Sequence, residues 1–262
     1  MKSDPLLVDF RVCWQPPHYP SVIGVRLPAI LLLVLVLALA LTGCGGSGSG
    51  PSDNPPSDKV AYTAWKEWSK FGRATVVYGG QANGYTNRSG VTERSEPLAS
   101  RVGDYWGACG RPEWNGRTSS KPWSGAFVIW VMAQSGYSAS QFPRDGRHGS
   151  YLASLYDRER ASRSAPFLLH APNEYSPKPG DLVCSGSAGP TWRYADPRTA
   201  HRRIDNTAAH CDIVSDVRGG FVHAIGGNVK DSVAMSLYPV DSRGRLMPVS
   251  GRPWLLVVEK RG

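Results

Sequence analysis

A serine at the start of a strongly apolar segment is the first residue whose position could serve chemistry. Ser124 follows Pro122-Trp123 and precedes the run GAFVIWVMA, which is apolar nearly all round and indicates a buried helix. The first N–H groups of a helix have no intrahelical partner and lie at the positive end of its dipole. A serine there can be an ordinary N-cap, or a nucleophile beside N–H groups that would stabilise an oxyanion.

His210 and Asn228 are the residues that could complete such a site. His210 opens a strand-like run, Asn228 follows the next run, and Pro179-Gly180 forms a turn into a neighbouring one. A hydroxyl, an imidazole and a carboxamide brought together could act as nucleophile, base and orienting group. Taken singly, His210 and Asn228 fit ordinary roles in turns or edge strands, and their order in the chain does not establish the geometry.

Four segments together resemble a family of wall-degrading enzymes. They are PWSGAFVIWVMAQSG, PKPGDLV, HCDIV and IGGNVKDSV, which in order and spacing are similar to the papain-like amidases and endopeptidases of the CHAP and NlpC type. The resemblance extends to the bacterial DUF2272 family, with its PWSAAF-like and HCDIV-like motifs, from about Ala99 to the C-terminus. It implies a papain-like α+β fold with Ser124 as nucleophile, His210 as base and Asn228 as the orienting residue.

The nucleophile position departs from the CHAP and NlpC pattern, because those enzymes have cysteine where this chain has Ser124. A helix N-terminus and an imidazolium can hold a thiol as thiolate, whereas a serine keeps its proton and needs a base within hydrogen-bond reach. Three interpretations stay open. The chain is a Ser-His-Asn hydrolase acting on amide bonds of peptidoglycan or a related substrate, a silent wall-binding or scaffold protein that keeps the cleft, or a structural lipoprotein unrelated to the peptidases.

Further residues are candidates for the wall of a cleft around this site. The resemblance implies that role for five side chains, although the histidine among them equally suits a helix start: Trp123, Asp104, Tyr105, His148 and Tyr151. Cys109 could replace Ser124 as nucleophile, but it lies in a loop without a helix start or a base beside it. No phosphate-binding loop or metal-ligand spacing is present, so the sequence predicts neither a metal nor another cofactor.

The surrounding chain is predicted to form helices first and strands afterwards. Helical spacing of apolar residues predicts helices over residues 59–71, 96–106, 124–133 and 150–160. Strand-like runs follow at 181–184, 210–217, 221–225, 232–238 and 254–259, with hairpin turns expected at 218–220 and 242–244. The polar stretch 185–209 is interpreted as a long loop. This order predicts one α+β domain, with N-terminal helices packed on a C-terminal antiparallel sheet.

The N-terminal part of the chain indicates export and lipidation. Residues 29–41 are too short a run for a transmembrane helix but fit a signal peptide, and the following Leu41-Thr42-Gly43-Cys44 resembles a bacterial lipobox. We therefore expect a signal peptide over 1–43, lipid on Cys44, a Gly/Ser/Pro tether over 44–58 and a single domain over 59–262. The long leader contains acidic residues, which suggests that translation starts at Val22 or Val25.

Cys109, Cys184 and Cys211 follow Cys44 in the expected mature chain. Cys184 ends one strand-like run and Cys211 opens another, so a disulfide could join them if the strands are neighbours and the compartment is oxidising. Cys109 would then remain unpaired.

The formal net charge of +9 is spread along the chain rather than concentrated in one motif. No basic helix and no strand with interleaved aromatic and basic residues is recognisable, so no nucleic acid is expected as a partner. The expected partners are peptidoglycan or another anionic envelope polymer, and a membrane reached through the lipid on Cys44. Glycine rather than aspartate after Cys44 favours the periplasmic face of the outer membrane.

Overall fold

The computed structural model describes residues 54–79 and 84–261. Several predictions fall outside the described residues: the signal peptide over 1–43, the alternative starts at Val22 and Val25, lipid on Cys44 and most of the tether. None of the helices that the described residues form is long and apolar enough to span a bilayer. The described residues all belong to a single compact unit.

The helices begin close to where the hydrophobic periodicity predicts them. They are α1 (Lys59–Lys70), α2 (Leu98–Gly107), α3 (Ser124–Gln134), α4 (His148–Ala161) and α5 (Pro197–Asp205), with a 3-10 helix at Gly189–Tyr194. Asp58 caps α1, because its carboxylate accepts from the N–H groups of Val60 and Ala61. α3 is buried on all sides through Met132, as its uniformly apolar sequence predicts.

The prediction of a long loop over 185–209 is wrong. This stretch contains the 3-10 helix and α5, whose start is fixed by Asp196 accepting from Thr199 N and by a proline in the first turn. Ala200 and Ile204, four residues apart, are the buried positions of α5. Only two inward-facing residues in a polar helix give a weak periodic signal, which explains why the sequence pattern did not predict it.

The strands form one mixed sheet in the order β2-β1-β7-β6-β5-β4-β8-β3. Their bounds are β1 (Ala74–Val77), β2 (Gly84–Thr86), β3 (Phe167–His170), β4 (Leu182–Gly186), β5 (Ala209–Arg218), β6 (Phe221–Gly226), β7 (Ala234–Pro239) and β8 (Trp254–Lys260). β1 pairs with β7 in parallel, and the other pairs are antiparallel. The protein is therefore an α+β domain, as predicted, with a mixed sheet.

Two predictions about the sheet are wrong. The sheet is not purely antiparallel, because the short strand β1 directly after α1 adds to β7 in parallel. The turn at 218–220 does join β5 to β6, but the turn at 242–244 closes only an isolated bridge between Val240 and Leu246. β7 lies between β1 and β6, while β8 pairs with β3 and β4 on the other side of the sheet. Turn residues identify the local reversal, but the long-range partner of a strand depends on packing.

The sheet is covered on both faces, and this arrangement creates two cores. On one face, α1 and α3 pack against β5 and β6, and the buried side chains of α3 form the centre of the larger core. On the other face, residues such as Val76, Val214, Val222 and Tyr238 form a smaller core. Alternate residues of β5 therefore point into different cores, because successive side chains of a strand face opposite sides.

A disulfide joins β4 to β5. Cys184 lies directly opposite Cys211 in the antiparallel register, with their Cα atoms 4.1 Å apart, and the two sulfurs are bonded. This is the pairing that the sequence suggested. Cys109 is a free, partly buried thiol.

We expect the double substitution Cys184→Ala with Cys211→Ala to lower the free energy of unfolding by about 3 kcal/mol, since the bond closes a loop between residues 27 apart in sequence. Urea unfolding of the domain measures the loss. Cys109→Ala, which removes only a free thiol, is the control and should shift the urea midpoint far less. Equal midpoints for the double variant and the parent would show that the bond does not form.

Candidate active site

Ser124 is the first residue of α3, and its hydroxyl is directed at a histidine. Ser124 Oγ and His148 Nε2 lie 2.7 Å apart in a hydrogen bond between two side chains that are each 6% exposed. The N-cap position of α3 is Trp123, and no side chain caps this helix end. The interpretation of Ser124 as an ordinary N-cap is therefore wrong, because its hydroxyl is used in a contact with another helix.

His148 reaches Ser124 because α4 begins close to the start of α3. The carbonyl of Gly146, just before α4, occupies the space that a Cβ on Gly125 would need. Only glycine at position 125 permits this close approach. His148 is the first residue of α4, and its Nδ1 lies 2.6 Å from the hydroxyl of Tyr151, one turn further along the helix.

The environment of His148 keeps its imidazole neutral. Burial is the main cause and the nearby His210 the next, and together they lower the pKa of His148 from 6.5 to about 3. At neutral pH one ring nitrogen of His148 is therefore a donor and the other an acceptor.

His210 and Asp212 form a second hydrogen-bonded pair, here called the dyad. Both lie on β5, two residues apart, so their side chains leave the same face of the strand. His210 Nε2 lies 2.7 Å from Asp212 Oδ1, and the Tyr238 hydroxyl donates to Asp212 Oδ2 at 2.6 Å. On the adjacent strand β6, a Cβ on Gly226 would collide with the Asp212 carboxylate, so the dyad requires glycine there.

Asp212 is ionised although it is only 1% exposed. Burial by itself raises the pKa of this carboxyl, but the charges of His210 and Arg252 and the hydrogen bonds from His210 and Tyr238 outweigh burial and lower the pKa to about 2. A carboxylate held in this state can stabilise a protonated imidazole beside it, as the acidic member of a catalytic triad does.

The two groups of side chains meet beside a small pocket. The ring centroids of His148 and His210 are 5.6 Å apart, so the dyad lies next to the Ser124–His148 pair. A pocket of about 220 Å³ opens over Ser124 and His148, between the starts of α3 and α4 and the chain entering β5. Gly125, Arg147, Thr207 and Ala209 are among its other lining residues. The arrangement places a hydroxyl and one imidazole at the wall of the pocket, and a second imidazole with its carboxylate behind them.

Two of the predicted contacts are not made. The hydrogen-bond partner of Ser124 is His148, not His210. The orienting partner of His210 is Asp212, not Asn228, which lies in the turn after β6 with a φ of 57°. Asp212 is the D of HCDIV, and the strand period of two would have placed it on the same face as His210. The aspartate was therefore recognisable from the sequence, whereas the role of His148 depends on the packing of two helices.

Of the other predicted cleft residues, Tyr151 lies beneath His148, and the rest lie away from the pocket. Trp123 is buried behind Ser124, where its indole N–H donates to Glu93 and its ring packs near Tyr105. The Tyr105 hydroxyl donates to buried Glu67 at 2.6 Å, so Tyr105 is a core residue. Asp104 pairs with Arg101 at 2.9 Å and lines a different groove, of about 1190 Å³, between α1, α2 and α3.

Cys109 is a poor nucleophile in this environment. Burial raises the pKa of its thiol to about 12, so the reactive thiolate is scarcely populated at neutral pH. The candidate nucleophile is therefore Ser124.

The fold and the site together define an α+β protein in which a serine at the start of a buried helix meets a His–Asp dyad on a mixed sheet. The chain belongs to the DUF2272 family, described as an uncharacterised protein conserved in bacteria, which matches residues 91–258. This match confirms the resemblance to that family, and it includes every residue of the site. Neither a curated protein nor a solved structure matches the chain.

We expect acid to destabilise the domain through His148. Its pKa is lower in the folded state, about 3, than the ordinary 6.5, so the unfolded chain binds a proton that the folded chain does not. The stability that the domain gains from burying His148 in its neutral form is complete above about pH 6.5, and it is lost progressively as the pH falls towards about 3. Asp212 adds a further loss of stability only at lower pH, as the pH falls from 3.8, its ordinary pKa, towards about 2, its pKa in the folded state.

Urea unfolding between about pH 7 and pH 4 measures this effect. The midpoint of the parent protein should fall with pH, and that of His148→Gln, which lacks the imidazole, should fall less steeply. His201→Gln removes a partly exposed histidine that pairs with Asp157, and it serves as the matched control. An unchanged slope in His148→Gln would contradict the assignment.

Proposed function

We propose that this chain is an envelope hydrolase that uses Ser124 to cleave amide bonds in peptidoglycan or a related polymer. The observation that carries the proposal is that the Ser124–His148 pair, which lines a pocket, lies next to the His210–Asp212 dyad. A hydroxyl is a nucleophile only when a base takes its proton, and the site supplies imidazoles for that purpose.

The chemistry is acyl transfer through a covalent intermediate. Ser124 Oγ attacks the amide carbonyl and passes its proton to an imidazole, and the proton then goes to the leaving amine as the C–N bond breaks. Water attacks the resulting ester in the same way and regenerates the serine. The unpaired N–H groups of the first turn of α3 lie beside Ser124 and would stabilise the oxyanion.

The arrangement supports a relationship to the papain-like enzymes of the CHAP and NlpC type. In both, the residue at the nucleophile position opens a buried helix. The histidine near the start of β5, His210, lies with its ring centroid 5.6 Å from that of His148, the hydrogen-bond partner of Ser124. The replacement of cysteine by serine removes the thiolate mechanism, so a serine needs an imidazole close by to take its proton. Two imidazoles are available: His148, which is hydrogen-bonded to Ser124, and His210, which lies next to His148. Asp212 takes the position of the orienting residue.

The location follows from the N-terminal sequence. A signal peptide over residues 1–43, lipid on Cys44 and the tether over 44–58 would hold the domain at the periplasmic face of the outer membrane. A tether of this length lets the domain reach wall polymer close to its own membrane. The scattered net charge of +9 suits an anionic polymer.

One observation favours a second candidate function, a wall-binding protein without turnover. Ser124 is 6% exposed, and its direct partner His148 has a pKa of about 3, which makes His148 a weak proton acceptor near neutral pH. In this alternative the pocket binds the polymer and the serine does not react.

Incubation of the domain with isolated peptidoglycan, followed by mass spectrometry of the released fragments, tests the two functions. We expect the parent protein to release fragments and Ser124→Ala to lose at least about 10³-fold in rate, because the nucleophile is removed. Ser124→Cys tests whether the cleft supports turnover with a cysteine, the residue that the CHAP and NlpC type enzymes have at this position. Activity in Ser124→Cys alone, or silence of all three proteins with retained binding, would favour the binding function.

Lipidation is tested separately by cell fractionation. The parent protein should sediment with membranes, and Cys44→Ser should not, because it lacks the acyl attachment point. Ser47→Ala, a change in the same tether, is the control. Sedimentation of Cys44→Ser with the membranes would contradict the anchor.

A further inference from the structure

We infer that the two histidines of the site have different roles: His148 donates a hydrogen bond to Ser124 and never takes its proton, while His210 is the base. The inference rests on the proposed hydrolase function and deepens it. It follows from counting donors and acceptors along two short hydrogen-bonded chains, Tyr151–His148–Ser124 and Tyr238–Asp212–His210.

The first chain is oriented by Tyr151. This residue is fully buried, and burial raises its pKa well above 10, so the phenol keeps its proton. Within the described part of the chain, the hydroxyl has one hydrogen-bond partner, His148 Nδ1 at 2.6 Å. A buried O–H that donates to nothing costs about 1–3 kcal/mol. Tyr151 therefore donates to Nδ1, and that nitrogen carries a lone pair rather than a proton.

The proton of His148 must then be on its other nitrogen. A neutral imidazole has a single N–H group, and His148 is neutral because of its burial. With Nδ1 as the acceptor, Nε2 is protonated and donates to Ser124 Oγ at 2.7 Å. A nitrogen that already has a proton cannot accept another one from serine. Instead, its N–H group stabilises the negative charge that develops on Oγ during attack.

The second chain leaves His210 with a free lone pair. Asp212 is ionised and can only accept, so the hydrogen bond between its Oδ1 and His210 Nε2 has the imidazole as donor. In the form of His210 that can accept a proton, the unprotonated nitrogen is consequently Nδ1. The carboxylate of Asp212 also stabilises the imidazolium that forms when His210 takes a proton.

These assignments complete a proton path. Because Ser124 accepts from His148, its own proton is available to another acceptor. His210 is the imidazole that can take it, since its ring centroid lies 5.6 Å from that of His148. The O–H bond of Ser124 breaks as an N–H bond forms at His210 Nδ1, directly or through one water. The Oγ–C bond forms in the same step, and His210 then returns the proton to the leaving amine as the C–N bond breaks. His148 keeps its proton throughout.

The sharpest kinetic test compares glutamine substitutions at the two histidines. A glutamine amide can donate a hydrogen bond but cannot accept a proton, so it preserves the role inferred for His148 and removes the role of His210. We expect kcat of His148→Gln to remain within about tenfold of the parent, His148→Ala to lose more, and His210→Gln to lose about 10²–10⁴-fold. Equal losses in His148→Gln and His210→Gln would overturn the inference.

A spectroscopic test is independent of turnover and uses the unsubstituted protein. In ¹⁵N-histidine-labelled protein near neutral pH, NMR should show the imidazole proton of His148 on Nε2, and Tyr151→Phe should weaken this preference. A proton on Nδ1 would overturn the inference even if the protein is active. If no hydrolysis is found but Nε2 is protonated, the proposed function fails while the orientation of the hydrogen bonds stands.

Discussion

An ionised carboxylate inside a protein is costly, since transfer of such an ion out of water costs several kcal/mol even after relaxation. Asp212 is in that situation, and its neighbours are arranged to compensate for it. His210 on the same strand and Tyr238 on β7 hydrogen-bond its two oxygens, and the cation of Arg252 lies nearby. Arg252 in turn donates to the Tyr78 hydroxyl at 3.2 Å. The C-terminal segment and the chain after β1 are thereby connected to the charge on β5.

The site exists only where the two layers of the protein meet. The helical layer contributes Ser124 and the neutral imidazole of His148, while the sheet contributes His210 and Asp212. Glycines make the junction narrow enough, because a side chain at position 125 would push α4 away and one at position 226 would displace the dyad. Neither layer holds all four side chains, so loosening of the interface would separate Ser124 and His148 from the dyad while leaving each element intact.

The sequence predicted those features of the protein that depend on residues close together in the chain. The periodic apolar positions of α1 to α4 lie within a few residues and were found, as was the turn between β5 and β6. The parallel pairing of β1 and the neighbours of β8 depend on long-range packing and were missed. In the site, Ser124 and His210 were identified by their motifs, but a local rule would also have favoured Asp212 over Asn228. The pairing of His148 with Ser124 depends on a helix–helix contact, which no spacing in the chain reveals.

The disulfide between β4 and β5 makes the chain before oxidation differ from the chain after it. Cys211 separates His210 from Asp212 in the chain, so the bond to Cys184 is attached between the two members of the dyad, on the opposite face of the strand. Such bonds persist in oxidising compartments and are rare where thiols are kept reduced. In a chain whose thiols are kept reduced, noncovalent contacts alone would therefore hold β5, with His210 and Asp212, against β4. Oxidation of the two thiols would then fix the register of β4 and β5 covalently at the position between His210 and Asp212.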